Sequence, residues 1–366
     1  MKVLIPVLGL MASFASAQPA AQKLENISQN AIQSAFQILR GEYIRSGDLT
    51  FDELNRAALQ GLLQRLDLGA EILSKVEAQR PLMESGLLAE MITPEIGFIR
   101  PLAFAEKEAA DLEKKLREYR DAQVPQLILD LRSAAPPGDF SVAAAMLECF
   151  VPQGELLFKL KQIGRDDGQV FLSQREPVWD RPLVLLIDPE TNNLGETIAA
   201  VLNLRKQVVL VGGQTKGATV RYETLPLDDY WLLRFARAEM LLADDTSLFR
   251  QGLKPKFPVF LPVQAKRLLF GANGRREPLK KTIFDQSRER YNEAALVARK
   301  NPELDDYIRR SNGQPSVDAV RPLRDEVLQR AVDMLMTSSH FKAMQLDWKA
   351  GPRDARPTIK KAQRAP

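Results

Sequence analysis

The turn between a buried strand and a helix is where this sequence first indicates chemistry. Residues 181–204 read RPLVLLIDPETNNLGETIAAVLNL: an apolar run, an Asp-Pro, two asparagines and then a helical pattern. In α/β hydrolytic enzymes such a corner commonly carries the nucleophile. Here it offers Asn192 and Asn193, and an amide is not an acyl-accepting nucleophile under ordinary conditions. The residues leave two alternatives open, a catalytic corner or the shell of one.

Two residue types that often support catalysis each occur once. Cys149 lies in AAAMLECFVP, an apolar helical pattern that indicates a buried structural thiol, because a reactive thiol needs a polar activating setting. A single cysteine also allows no intrachain disulfide. His340 lies near the C-terminus, flanked by serine and lysine. One histidine argues against a Ser-His-Asp or Cys-His arrangement and against a histidine-rich metal site, so we expect neither a metal nor a cofactor.

The composition is that of a folded chain with an ordinary surface. The 366 residues suit two or three small domains, or one medium domain with extensions, and 45% of them are hydrophobic, which is enough for a sizeable core. Charged residues, at 27%, are ordinary in number. The formal net charge of +4 is too mild to indicate a nucleic-acid partner.

Residues 1–17 have the features of a secretion signal. Lys2 supplies the charge, VLIPVLGLMASF is the apolar region, and ASA, which ends at Ala17, is a small-residue cleavage site. The apolar run is too short to span a bilayer and is interrupted by Pro6 and Gly9, which disfavours the alternative of an uncleaved anchor. We therefore predict an exported product, periplasmic or secreted, with no transmembrane or lipid anchor after cleavage.

An N-terminal helical region is predicted over residues 18–90. Its first amphipathic helix covers residues 24–43, where apolar residues recur at helical spacing. A second helix begins at Thr50, because Thr50 and Glu53 have the spacing of a capping box and an apolar stripe follows them.

The C-terminal part of the chain is predicted to be a basic, partly helical extension over residues 264–349. A helix over residues 323–335 places four apolar residues on one face: Val327, Leu328, Ala331 and Val332. Residues 350–366 are basic, rich in proline and short of apolar residues, so we predict a disordered tail.

Strands and helices alternate between residues 91 and 263, which predicts an α/β core rich in βαβ units. The apolar strands are IGFIRPLAF, QLILDLR, RPLVLLID and QVVLVGG, and the helices are residues 106–120, SVAAAMLECF and GETIAAVLNL. ELLFKLKQI and GQVFLS have the pattern of paired strands, and ATVRYETLPL adds a later one. Antiparallel strands therefore join the parallel units.

Residues 95–259 resemble the tail-specific, or carboxyl-terminal processing, serine peptidases. The stretch that ends in Asp-Leu-Arg is similar to that family's first strand, helix and second strand, and RPLVLLIDPETNNLGETIAAVL to the strand, corner and helix that carry the nucleophile. QVVLVGGQTKGATV is similar to the strand and loop of the catalytic lysine, and RQGLKPKFPV to the segment that closes the domain. The resemblance implies a ClpP/crotonase-like core, shared with interphotoreceptor-retinoid-binding protein. The residues between Asp67 and Glu95 are too few for the PDZ domain that the family usually inserts between its helical region and its first core strand.

Such peptidases use a serine nucleophile with a lysine general base. The lysine serves only if burial lowers its pKa, so that the neutral amine accepts the serine proton. Backbone N–H groups from a glycine turn and from the nucleophile corner form the oxyanion hole. The resemblance places Lys216 at the general-base position and Asn193 at the nucleophile position. It places Gly138 and Leu194 at the two donors of the oxyanion hole.

The sequence departs from the family pattern at the reactive groups. The family serine lies three residues before a glutamate, and Asn193 takes that place before Glu196. Leu204 replaces an acidic helper found in some members, and the glycine turn retains only Gly138. A structural alternative accounts for the asparagine, since Asn193 and Glu196 can form a helix-capping box. For Lys216 the alternative is a solvated side chain in a glycine-flanked loop.

Two hydroxyls remain as displaced nucleophiles. Thr191 lies in the right turn but two residues early, and Ser133 lies at the mouth of the Asp-Leu-Arg strand, near the oxyanion turn. Either could pair with Lys216 if the two side chains come within hydrogen-bond reach. Other retained family residues that support an active site are Gly217, Asp130 and Arg132.

Three functions follow from these alternatives. The first is a pseudopeptidase that binds unstructured or extended polypeptides, because strand addition needs only main-chain hydrogen bonds and side-chain pockets. The second is an active serine-type endopeptidase that uses Lys216 with a displaced nucleophile. The third is a structural cell-envelope protein whose basic segment, residues 265–281, contacts anionic surfaces or envelope proteins, although such a run is more often a solvated face.

Overall fold

The computed structural model describes residues 27–79, 85–133, 135–162, 165–204, 208–271, 278–283, 304, 307–308, 311–312 and 323–343. The predicted secretion signal and the predicted disordered tail lie outside these residues. The chain divides into two compact units, residues 1–69 and 70–366. Within the described ranges, no helix is both long and apolar enough to cross a membrane.

The first unit consists of helices: α1 (Gln29–Glu42), a 3-10 turn (Ser46–Asp48), α2 (Phe51–Leu66) and a second 3-10 turn (Asp67–Gly69). The Thr50 hydroxyl accepts from the Glu53 N–H at 3.2 Å, which confirms the predicted start of the second helix. The predicted capping box is wrong in its other half, because the Glu53 carboxylate accepts from Arg56 at 3.1 Å instead.

The second unit begins with a strand, which corrects the helical region predicted over residues 18–90. Strand β1 (Ala70–Ser74), the short helix α3 (Lys75–Ala78) and strand β2 (Leu87–Thr93) fall in its last third. Strand β1 pairs with residues 231–235, and β2 pairs with residues 96–101. Helical periodicity does not reveal these two strands, because each is stabilised by pairing with another strand of its sheet.

The following strands are β3 (Ile96–Pro101), β4 (Gln126–Asp130), β5 (Leu156–Gln162), β6 (Arg165–Leu172), β7 (Leu183–Ile187), β8 (Val208–Gly212), β9 (Val220–Pro226), β10 (Trp231–Leu241) and β11 (Phe257–Pro258). The helices that follow are α4 (Glu106–Asp121), α5 (Phe140–Leu147), α6 (Asn193–Asn203), α7 (Val263–Phe270), α8 (Leu279–Ile283) and α9 (Glu326–Ala343). The predicted α/β fold class is confirmed.

Six strands form one sheet in the order β11-β8-β7-β4-β3-β2, and all neighbours are parallel except β2 and β3. Its central strands β3, β4 and β7 are buried along their whole length, as expected for parallel strands covered on both faces. The second sheet has the order β1-β10-β5-β6, with β9 also paired to β10, and it is antiparallel. The predicted pairing of ELLFKLKQI with GQVFLS is confirmed as β5 and β6.

Alternate residues of the parallel strands enter two separate hydrophobic clusters. One cluster joins a face of the parallel sheet to α4, α5, α6 and the antiparallel sheet. The other joins the opposite face to α8 and α9, so the C-terminal extension covers that face. The four apolar residues predicted to share one face of the C-terminal helix are all buried in this cluster: Val327, Leu328, Ala331 and Val332.

A buried ion-pair network joins α9 to the sheet. The Asp130 carboxylate accepts from Arg100 at 2.7 Å and from Arg132 at 2.8 Å. Both terminal nitrogens of Arg132 also donate to the Asp325 carboxylate, at 2.9 and 2.7 Å. Asp325 in turn caps α9 by accepting from the Leu328 N–H. Two cations and two anions balance one another, which is the condition under which buried charges are tolerated.

Candidate functional site

Three connections meet at the carboxyl ends of the parallel strands, where open α/β sheets usually hold their sites. The first is the glycine turn that follows β4 and contains Gly138. The second is the corner at residues 188–193, between β7 and α6. The third is the loop at residues 213–219 that follows β8 and carries Lys216.

Asn193 is the first residue of α6, which corrects the predicted capping box. The N-cap is Asn192, and its side chain makes no capping hydrogen bond. Asn193 has a φ of 41°, in the left-handed region. Asparagine enters this region more readily than most residues, and a helix start in this conformation turns its side chain away from the capping position. The side chain of Asn193 is therefore free to bridge neighbouring segments.

The amide of Asn193 joins the glycine turn to the corner. Its Oδ1 accepts from the Gly138 N–H at 3.1 Å. The Leu194 side chain lies so close that a Cβ on Gly138 would be 2.8 Å from its Cδ1. The structure thus brings Asn193, Gly138 and Leu194 together. The Gly138 N–H is directed at the side chain that the resemblance places at the nucleophile position.

The same amide also joins the corner to the start of β9. Its Nδ2 donates to the Val220 carbonyl at 2.7 Å and to the Ala218 carbonyl at 3.1 Å. Asn193 is 1% exposed, and both of its polar atoms have partners. Three segments of the candidate site are therefore fixed to one another by this side chain.

Glu196 holds the Lys216 loop, a role that the sequence did not reveal. Its Oε1 accepts from the Gly217 N–H at 2.8 Å and from the Thr215 hydroxyl, and its Oε2 accepts from the Ala218 N–H at 2.8 Å. Burial raises the pKa of this carboxyl, an effect that the hydrogen bonds from Thr215, Ala218 and Gly217 oppose. The carboxylate sits beneath the loop instead of closing a capping box.

Lys216 extends from this loop into solvent. Its side chain is exposed, while its backbone N–H donates to the Thr191 carbonyl at 3.0 Å. A lysine general base needs a buried, dry setting that favours the neutral amine. The arrangement matches the alternative of a solvated lysine.

The two displaced nucleophile candidates are engaged in local hydrogen bonds. The Thr191 hydroxyl accepts from the Asp188 N–H and donates to the Leu131 carbonyl, both at 3.0 Å, and the residue is fully buried. The Ser133 hydroxyl donates to the Pro101 carbonyl at 2.7 Å. Both hydroxyls stabilise the turns around them, and neither is directed at Lys216.

The remaining sequence candidates have structural positions. Cys149 is buried, and burial raises the pKa of its thiol to about 12. Leu204, at the position of the acidic helper, ends α6 with 46% exposure. Asp130 and Arg132 belong to the network that fixes α9. Among the described residues, no group of three His, Cys, Asp or Glu side chains is placed to hold a metal ion.

Part of this chain is similar to known peptidases. Residues 95–259 match the family model for Peptidase family S41. The carboxy-terminal processing protease CtpA of Bacillus subtilis is 24% identical over 268 residues, which are 72% of this chain and 54% of that protein. A carboxy-terminal-processing protease of Bartonella bacilliformis is 23% identical over 177 residues, which are 47% of this chain and 40% of that protein.

A solved structure, the photosystem II D1 C-terminal processing protease, is 18% identical with a TM-score of 0.39, and the match covers 52% of this chain and 48% of that one. This chain spans about half the length of the curated relatives that it matches.

Proposed function

We propose that this chain, whose residues 95–259 match the model of peptidase family S41, binds extended polypeptide segments without cleaving them. The observation that carries the proposal is the buried amide of Asn193. Its oxygen accepts from Gly138 and its nitrogen donates to two carbonyl groups. An amide engaged in this way offers no hydroxyl or thiol to form an acyl intermediate.

The geometry around the amide supports the same proposal. The Gly138 N–H, which the resemblance places in the oxyanion hole, already has Asn193 Oδ1 as its acceptor. An oxyanion hole stabilises a transition state only if its donors are directed at the substrate oxygen. Lys216 is exposed, and the Thr191 and Ser133 hydroxyls donate to carbonyls elsewhere.

A polypeptide could still bind by strand addition at β9. In the part of the chain that the structure describes, β9 pairs with β10 alone, so its second edge is open to an extended segment. This strand begins at Val220, whose carbonyl accepts from Asn193. Main-chain hydrogen bonds along such an edge need no nucleophile. The class of partner is therefore an unstructured or extended polypeptide, with envelope proteins as one source.

The test is cleavage and binding of one unstructured reporter protein by the purified chain. Mass spectrometry detects new termini, and fluorescence anisotropy of a labelled reporter segment detects binding. The wild type is compared with Lys216→Ala and Asn193→Ser. We expect binding without new termini for the wild type and for Lys216→Ala. New termini with Asn193→Ser would support the proposal further, because they would show that only the nucleophile is missing.

Two outcomes would overturn the proposal. Cleavage by the wild type that disappears in Lys216→Ala would establish the active endopeptidase, with Thr191 and Ser133 as the next nucleophiles to mutate. Neither binding nor cleavage would favour the structural envelope protein. Salt-sensitive binding to anionic lipid vesicles, through the basic residues 265–281, would then be expected.

We also propose that the protein is exported, to a periplasm or out of the cell. The support is the charged, apolar and small-residue pattern of residues 1–17. N-terminal sequencing of the protein recovered from its native host would read Gln18 as the first residue. A product that retains Met1 or Lys2 would contradict export through this segment.

A further inference from the structure

A lysine from the C-terminal extension reaches the corner of the candidate site. Lys266 lies in α7, beyond the residues that match the family model. Its side chain is 10% exposed, and its Nζ forms ion pairs with Asp188 and Glu190. Both carboxylates belong to the Asp-Pro-Glu that opens the corner before Asn193.

We propose that Lys266 is a positioning residue for the corner, and that the C-terminal extension is thereby part of the candidate site. The inference goes beyond the proposed function and does not depend on it. It concerns how the turn is held, and it stands whether the protein cleaves polypeptides or only binds them.

Asp188 transmits the contact from Lys266 to the turn. One carboxylate oxygen, Oδ2, pairs with the lysine. The other, Oδ1, accepts from the Glu190 N–H at 2.9 Å and from the Thr191 N–H at 3.0 Å. A carboxylate with 12% side-chain exposure needs a nearby cation to stay in place, because an unpaired buried charge is strongly unfavourable. Lys266 therefore stabilises the acceptor that shapes the turn.

Thr191 links this turn by hydrogen bonds to the two neighbouring connections. Its hydroxyl donates to the Leu131 carbonyl, at the end of β4, and its carbonyl accepts from the Lys216 N–H. The helix that carries Asn193 starts two residues later. A shift of the turn at Asp188 would thus be felt in the glycine-turn strand, in the lysine loop and at the asparagine.

The helix that carries Lys266 is itself fixed to the core. The Phe270 ring lies one turn further along α7, 5.3 Å from the Lys266 ammonium. The Arg100 guanidinium packs over the same ring at 3.6 Å and binds Asp130 in the buried network. Lys266 is therefore presented by an anchored element, which is the requirement for a residue that positions others.

The test is hydrogen exchange of the full chain, read by mass spectrometry in three variants. Lys266→Met removes the charge but keeps much of the apolar length, and Lys266→Arg retains a cation. Lys159→Met is the matched control, since Lys159 lies in β5 of the antiparallel sheet and forms an ion pair of 2.8 Å with Asp245. The compared segments are residues 188–193 and 214–218 at the site and residues 112–119 of α4 in the core.

We expect Lys266→Met to lose protection by about tenfold or more at both site segments, with little change at residues 112–119. Lys266→Arg is expected to restore part of the protection, and Lys159→Met to leave both site segments unchanged. Partial rescue by arginine separates a positioning cation from a residue that only fills space.

Equal loss of protection across all three segments, or no loss at the site, would overturn the inference. If Lys266→Met does not fold, Asp188→Asn supplies the same test, because it removes the ion pair with Lys266 while its side-chain oxygen still accepts from the Glu190 and Thr191 N–H groups. A smaller loss of protection confined to the same two segments is then expected, and unchanged segments would again overturn it. Since neither readout involves cleavage or peptide binding, failure here leaves the proposed function to its own experiment.

Discussion

Asn193 combines an unusual backbone conformation with three side-chain hydrogen bonds. Its φ of 41° disfavours most residues by about 1–2 kcal/mol, while asparagine and glycine enter the region more readily. Its partners lie 55, 25 and 27 positions away in the sequence, so local pattern could not reveal them. The spacing of Asn193 and Glu196 predicts a helix-capping box, which the structure does not form. The error arose because both side chains have better partners in the tertiary structure.

Replacing Asn193 tests these two contributions separately. Asn193→Ala leaves the Gly138 N–H and the Val220 carbonyl without their partner and adds backbone strain. We expect a loss of roughly 2–4 kcal/mol in the free energy of unfolding, from unpaired buried groups and the left-handed conformation. Urea unfolding measures it. Asn193→Gly is the control, since it loses the hydrogen bonds without the strain and should be less destabilising. Equal effects of the two substitutions would show that strain is unimportant at this position.

Glu196 gives the candidate site a pH dependence of known sign. Burial raises its pKa in the folded protein. The associated stabilisation is fully present below the pKa in the unfolded chain, about 4.3, and is lost as pH rises through the folded-state pKa. We expect the free energy of unfolding of the wild type to fall relative to that of Glu196→Gln from about pH 4 upward. Denaturant titrations of both proteins across this range measure the difference, and a difference independent of pH would contradict the assignment.

At the scale of elements, the network around Asp130 joins α9 to the sheet. Burial alone would raise the pKa of Asp130, but Arg100 and Arg132 outweigh it and hold that pKa well below its usual range. Burial likewise opposes the charge of Arg132, and the carboxylates of Asp130 and Asp325 together raise the pKa of its guanidinium. At Arg100 burial outweighs the carboxylates and lowers the pKa of the guanidinium. Arg132 is therefore the cation on which the network depends most.

Breaking this network should be far more costly than breaking a surface pair. Arg132→Met leaves Asp130 with one cation and Asp325 with none, so we expect a loss of about 3–5 kcal/mol in the free energy of unfolding. Arg117→Met is the matched control. It removes the 2.6 Å pair with Glu113 on an exposed face of α4 and should cost less than about 1 kcal/mol. Thermal and urea unfolding of both variants decide it, and similar losses would contradict the importance of the network.

Hydrophobic periodicity was sufficient to predict the elements of the core but not all of their partners. The buried runs of β3, β4, β7 and β8 and the helices between them follow from sequence pattern, because parallel strands covered on both faces are almost wholly apolar. Strand β1 was missed, since its pairing partner Phe235 lies far along the chain from Ala70. The ion pairs of Lys266 and Asp325 were missed for the same reason. From local sequence alone a charged residue is expected at the surface, because such residues are buried only when they are paired.

For the whole molecule, the hydrophobic core is divided between two faces of one sheet. No described residue before Ala70 belongs to the buried core, whereas the second cluster takes Leu279 and Ile283 from α8 and five residues from α9. Burial of each valine, leucine or isoleucine side chain among them contributes on the order of 1.5–3 kcal/mol. The C-terminal extension is therefore a structural layer of the second unit.

Truncation of the N-terminal unit should leave folding of the rest intact, whereas truncation of the C-terminal extension should disrupt it. Removing residues 1–69 is expected to leave one cooperative unfolding transition for the rest of the chain, because its core is intact. Ending the chain at residue 262 exposes one face of the sheet, so loss of cooperative unfolding and strong binding of a hydrophobic dye are expected. Circular dichroism and dye fluorescence compare the two chains. A cooperative transition in the chain that ends at 262 would show that the extension is dispensable for folding.

The ion pair between Arg132 and Asp325 can form only late in synthesis of the chain. The two residues are 193 positions apart, and Asp325 lies near the end of the chain. A nascent chain exposes the apolar face of its sheet and the cation of Arg132 until the ribosome has released α9. Translation that stops before α9 therefore yields a chain with an open sheet face and an Arg132 that lacks its second carboxylate, the kind of species that chaperones and proteases recognise. This face of the core therefore closes only after α9 has been synthesised.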